Sequence, residues 1–160
     1  PMKKIYLLII LLNLNCVSLI KSGQNEYDIT RYFIGTANTS TFQNVINEIL
    51  KHHGYEIENY YQNSTSSTII TSWKVRKVKN KEIALGYSKA KTKIEISGLM
   101  IDKSYMKKGP FEYECYMKVY DMVYDGKKYI ESDYPNEVRR RMSFLAKIIR
   151  REFSKNSKNI

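Results

Sequence analysis

Cysteine, histidine, proline and tryptophan are all scarce in this chain of 160 residues, at two, two, three and one. The cysteines, Cys16 and Cys115, stand far apart with no CxxC and no metal-ligand spacing. That excludes a disulfide framework or a zinc ribbon, and a Cys16–Cys115 bridge requires that the N-terminal segment stay attached. The histidines, His52 and His53, are neighbours. Adjacent side chains on a helix point about 100° apart, so the two cannot chelate one metal as an HxxxH pair does. They read as residues at a helix C-terminus, favourable to its dipole when protonated. Walker A, G-x-S-x-G, H-E-x-x-H and G-x-G-x-x-G motifs are all missing. No cofactor and no metal are expected, and the chain is expected not to be an enzyme.

Acidic side chains are also few: 16 Asp and Glu face 27 Lys and Arg, for a net charge of +11. Such a charge favours anionic partners, whether membrane headgroups, nucleic acid or an acidic protein. What is abundant is tyrosine, with 14 copies, in a chain whose hydrophobic share of 42% argues against disorder. The length suits one domain and leaves two short of core.

Long apolar runs are missing except at residues 5–12, which follow Lys3 and Lys4. A positive start and a short apolar stretch match a secretory signal, and the run is shorter than the ~20 residues of a transmembrane helix. Residues 1–20 are therefore expected to be an export or lipoprotein signal. Cys16 sits where a lipobox cysteine would, with Leu12, Asn13 and Asn15 before it, and the stretch resembles a relaxed lipobox. Cys16 is the expected lipidation site. Cleavage after Ser18, with Cys16 and Ser18 as the small-x-small pair, and an uncleaved N-terminal anchor are the alternatives. Export implies the periplasm or outer membrane, or secretion.

Residues 21–28 read as a polar tether, 29–154 as one domain and 155–160 as a disordered tail. Residues 29–35 form a short first strand. Ser40 and Gln43 have capping-box spacing. Phe42, Val45, Ile46, Ile49 and Leu50 then repeat at the spacing of one helix face. Gly54 supplies the C′ residue, so a helix is expected over 41–53. From Tyr55 the period becomes two. Residues 68–78 are a strand with Ile69, Thr71, Trp73 and Val75 on one face and Ile70, Ser72, Lys74 and Arg76 on the other. Residues 77–81 are a loop, 83–87 the start of a further strand, and 92–101 a strand with Gly98 as its bulge. Residues 111–124 form a long strand, and Asp125-Gly126 turns it into a hairpin with 127–132. Residues 136–154 form a last helix with Val138, Met142, Leu145, Ile149 and Phe153 on its apolar stripe. The expected fold is α+β: a two-layer sandwich with an antiparallel sheet of four to six strands and two helices packed on one face.

Two surfaces carry the candidate binding residues. Tyr116, Tyr120 and Tyr124 share one face of the long strand with Met122. That face suits a flat or apolar ligand or another protein, and the neighbouring Lys118 and Lys128 faintly fit a single-stranded nucleic acid. Against this stands plain sheet packing, which favours Tyr. Arg139, Arg140, Arg141, Arg150 and Arg151 crowd the last helix beside Lys147, and would meet anionic headgroups or an acidic partner unless they only solvate its outer face. Cys115 reads as a small buried hydrophobe. Asp121, Asp125, Glu131 and Asp133 read as a solvated hairpin with cross-strand charge pairs.

The run Phe42-Gln-Asn-Val45-Ile46-Asn-Glu-Ile49-Leu50-Lys-His-His-Gly54-Tyr55-Glu-Ile57, followed by Thr68-Ile69-Ile70-Thr71-Ser72-Trp73, is similar to helix-grip modules of bacterial envelope lipoproteins. The BamC-type subunit of the outer-membrane β-barrel assembly machinery is one example. This chain has one such module where that subunit has two. Lipoproteins of the LptE type share the strand-helix-strands-helix order, so the resemblance implies an envelope setting without selecting a machine. The expected function is that of an exported, non-enzymatic envelope protein binding another envelope protein or anionic lipid, with membrane association through Cys16. A periplasmic lipid or small-ligand module, and a secreted enzyme using Cys115 or the carboxylates around Asp125, are the alternatives. Nucleic acid is the partner that export disfavours.

Overall fold

The computed structural model describes residues 31–101, 112–133 and 135–156. The signal, Cys16 and the tether lie outside the described residues. The elements are β1 (Arg31–Asn38), α1 (Thr39–His52), β2 (Ile57–Gln62), β3 (Ser66–Thr71), β4 (Lys74–Arg76), α2 (Asn80–Ala84), β5 (Lys89–Met100), β6 (Glu112–Tyr124), β7 (Tyr129–Glu131) and α3 (Asn136–Asn156). The fold is α+β, with an antiparallel sheet in the order β1-β6-β5-β3-β2. It has seven strands because β4 continues the line of β3 along β5, and β7 continues that of β1 along β6.

The sheet is built on β5 and β6, which run in unbroken register from Lys89↔Tyr124 to Met100↔Tyr113. Period-two alternation sends Ile94, Ile96, Cys115, Met117 and Val119 to one face, where all are buried. On that covered face lie the apolar stripes of two helices: Phe42, Ile46 and Leu50 of α1, and Val138, Met142, Leu145, Ile149 and Phe153 of α3. The opposite, open face carries Lys89, Lys91, Lys93, Tyr116, Lys118, Tyr120 and Tyr124, with no helix over it among the described residues.

Local chemistry departs from expectation at four places. The cap of α1 is Asn38, whose side chain accepts from Thr41 N at 2.8 Å, and Ser40 donates to that same oxygen. Asn holds this position at least as well as Ser, so the helix starts two residues early. Gly98 is no bulge, because its pairing is regular on both sides. A Cβ there would sit 2.9 Å from Tyr113 Cβ and 3.1 Å from a Phe42 ring carbon, so the glycine allows α1 to approach. The register shifts lie elsewhere, between Phe33 and Gly35, where Gly35 has φ +105°, and between Ile57 and Asn59. Residues 80–84, expected as loop and strand, form α2, whose start is fixed by the Glu82 carboxylate accepting from Lys79 N at 2.7 Å. Finally, residues 68–78 are two strands. Ser72 and Trp73 break the ladder, and the alternation slips by one. Ile69 and Thr71 face the core, but so do Lys74 and Arg76, opposite buried Thr92 and Ala90, while Val75 is 76% exposed. A one-residue slip exchanges the faces, and it sends Trp73 to the open side.

Candidate functional site

The slip at Trp73 completes a continuous surface on the open face. Lys89, Lys91 and Lys93 alternate along β5, so all three project outward from one line. Their register partners on β6 are Tyr124, Met122 and Tyr120. Lys91 Nζ lies 4.0 Å from the centre of the Tyr129 ring and 4.6 Å from that of Trp73. Lys93 Nζ lies 5.2 Å from Trp73 and 5.6 Å from Tyr120. Lys118 lies 4.7 Å from Tyr120, Lys89 lies 5.4 Å from Tyr124, and Tyr124 meets Tyr129 edge-on. At the β1 edge the Arg31 guanidinium stacks 3.8 Å over Tyr116, which packs on Phe33. Each such contact at an exposed site contributes only about 0.5–1 kcal/mol. The apolar lysine stems also cover ring surface that would otherwise meet water.

What distinguishes this surface is its charge. Among the described residues none of Arg31, Lys89, Lys91, Lys93 or Lys118 has a carboxylate within ion-pair distance. Glu95, which sits among them, accepts from the Tyr120 hydroxyl at 2.6 Å. Burial and this Glu95 bond both push the Tyr120 phenol above its ordinary range. Lys118 is pushed up as well, chiefly by its hydrogen bond to Tyr120, so its ammonium stays charged. The face thus presents flat rings separated by cations, of which Lys118 has Glu95 as its cross-strand neighbour while Lys89, Lys91 and Lys93 have no carboxylate within ion-pair distance among the described residues.

The expected residues divide between two sides of the molecule. Tyr116, Tyr120 and Tyr124 come together on the open face, where Trp73, Tyr129, Lys89, Lys91, Lys93 and Arg31 join them. Arg139, Arg140, Arg141 and Arg151 belong to α3, on the other side of the sheet. Arg139 and Arg140 flank an exposed Phe144 on the outer surface of α3. Arg151 reaches its neighbour Glu152, at 3.3 Å. Arg150 is structural: it wraps the β1 edge, donates to the Phe33 carbonyl and covers the Phe33 ring. The Lys row could have been read from Lys89, Lys91 and Lys93 at period two; the phase slip that brings Trp73 over it left no such signal.

The groups expected to be inert or catalytic have plain environments. Cys115 is fully buried, its thiol donates to the Tyr113 carbonyl at 3.4 Å, and burial pushes it up to about 12. The expected solvated hairpin holds for Asp125, whose carboxylate accepts from Lys127 N and Lys128 N, both at 2.8 Å. It does not hold for Asp121, which is buried on the covered face beside Thr92. There Arg76 commits all five of its donors: to Asp121 through Nε and Nη2, to Glu82 through Nη1 and Nη2, and to the Lys77 carbonyl. Burial raises the Glu82 carboxyl, but the Arg76 bonds and the Lys79 backbone bond outweigh it and hold it below the usual range.

No family model matches this chain, and no curated protein matches it. Among solved structures, the uncharacterized conserved protein YugN from Geobacillus kaustophilus HTA426 superposes on 77% of this chain and 89% of its own, at a TM-score of 0.41 and 12% identity. A likeness at that level carries no argument about function. The class of molecule is set by its own geometry: an α+β protein with one sheet face roofed by helices and the other aromatic, rich in cations and, among the described residues, uncovered.

Proposed function

We propose that this chain is an exported, non-enzymatic envelope protein that binds an acidic envelope component, protein or anionic lipid, through the open sheet face. The observation that carries this reading is the row of Lys89, Lys91 and Lys93 set among Trp73, Tyr120, Tyr124 and Tyr129 with no carboxylate within ion-pair distance among the described residues. Aromatic rings supply area at low entropic cost. Unpaired cations steer an acidic partner onto them and fix its register. The export half rests on residues 1–20, with Cys16 as the lipid anchor. The likeness of residues 42–73 to helix-grip modules of envelope lipoproteins agrees with it. The non-catalytic half draws support from the side chains that chemistry would need. The Cys115 thiol is buried and held protonated, and Glu82 and Asp121 are consumed by Arg76.

Two measurements test the proposal. Intact mass of the protein from native membranes should show a diacylated N-terminal Cys16; an uncut chain recovered from the cytoplasm contradicts export. A photo-crosslinking residue at Trp73 or Tyr129 should capture one acidic envelope component, and capture should vanish with Lys91→Glu/Lys93→Glu. Crosslinks to nucleic acid, or crosslinks arising only from Phe144 on α3, contradict the proposed partner and face.

A further inference from the structure

On the covered side, one end of the helix–sheet interface opens into a cleft of about 360 Å³ between β4 and α3. That is within the size range of small-ligand sites. Its apolar wall comes from Val138, Met142 and the Tyr55 ring, and its polar groups are mostly cationic. The cations differ in how far they are already committed. Arg76, at the back, has no donor left, and Lys79 faces Glu137 across 3.9 Å. Lys77 and Arg141 remain, and among the described residues neither has a carboxylate within ion-pair distance. Lys74 donates to the His53 carbonyl at the end of α1 and lies 4.7 Å from the centre of the Tyr55 ring. Gly54 is what lets it reach there: φ is +69°, and a Cβ would sit 2.9 Å from the Lys74 nitrogen. The Tyr55 side chain is buried, and its hydroxyl has only the Met142 thioether, at 3.9 Å, as a partner among the described residues. Positive charge is thus gathered around a buried phenol that, among the described residues, has only a thioether for a partner. Beside it, burial first and then the charges of His52, Arg141 and Lys74 lower His53 below its ordinary value.

We propose that this cleft binds a phosphoryl-bearing ligand, with Arg141 and Lys77 donating to the phosphoryl oxygens beside Lys74 and Tyr55, and Val138 and Met142 receiving the ligand's apolar part. Arg offers a fork that matches phosphoryl geometry, and Lys a mobile point charge. The site lies on the opposite side of the sheet from the aromatic face, so the two stand or fall separately.

The test uses the full-length protein and two probes, inorganic pyrophosphate and phosphatidylglycerol vesicles, with phosphatidylcholine vesicles as control. Pyrophosphate should produce saturable NMR shifts concentrated at Tyr55, Lys74 and Arg141. Arg141→Gln, at an exposed position, should keep the fold and weaken that binding by about tenfold or more, the size expected for a charge-assisted bond. Lys93→Glu should leave it unchanged. Binding of phosphatidylglycerol vesicles that also falls with Arg141→Gln identifies the source as a lipid headgroup; pyrophosphate binding alone identifies a soluble phosphoester. Non-saturating shifts spread over all lysines, or shifts equal in the wild type and Arg141→Gln, overturn the proposal.

Discussion

The two faces of one sheet treat charge in opposite ways. On the covered face Arg76, Asp121 and Glu82 are buried together, and every guanidinium donor has a partner. On the open face Lys89, Lys91 and Lys93 meet rings and water. The difference follows from solvation: an ion removed from water must be paired or the fold does not tolerate it, whereas an exposed ammonium costs little to leave unpaired. Charge inside is therefore a structural commitment, and charge outside stays available for a partner.

The sharpest way to break this comparison is at Arg76. Arg76→Ala strands two buried carboxylates and is expected to cost about 3–5 kcal/mol, read as a shifted midpoint in urea unfolding. Replacing all three members with apolar residues of similar volume should recover most of that loss. The same network makes the covered face sensitive to acid. The Glu82 carboxyl is held low in the folded chain, so its stabilisation is complete above the unfolded carboxylate value of about 4.3 and is lost as pH falls through the folded one. Urea midpoints should hold from pH 7 to about pH 5 and then decline. In Arg76→Ala the remaining decline should lose the Glu82 contribution.

Smaller effects separate packing from charge. Gly98→Ala forces a methyl against Tyr113 and Phe42 and should destabilise by about 1–3 kcal/mol, with α1 displaced from the sheet and near-UV circular dichroism altered. Lys91→Ala and Lys93→Ala remove only exposed cation–ring contacts and should each cost about 0.5–1 kcal/mol in the same unfolding assay. A loss as large as that of Gly98→Ala would make the lysine row a structural element and not a binding one.

The sequence made regular elements legible and concealed irregular ones. The helical stripe from Phe42 to Leu50 and that from Val138 to Phe153 are visible as periods, because both helices bury one face against a sheet. The alternation of β5 and β6 is visible for the same reason, and it places Tyr116, Tyr120 and Tyr124 together. The interruption at Ser72–Trp73 was not visible, because nothing local in Thr-Ser-Trp-Lys marks a break in the ladder. That single slip moved Trp73 to the open face and Arg76 to the core. Asp121 likewise read as a surface carboxylate, since its partner Arg76 lies 45 residues away in sequence. α2 was missed because its capping group is Glu82, inside the helix, and a lysine occupies the N-cap position.

The proposed function requires the open face to be the recognition surface. The most direct measurement is the affinity of the full-length protein for the component crosslinked from Trp73, compared between the wild type and Lys91→Glu/Lys93→Glu at matched salt. A drop of about tenfold or more, with the fold retained and a steep salt dependence in the wild type alone, is the predicted result. Equal affinity for the two proteins would contradict it.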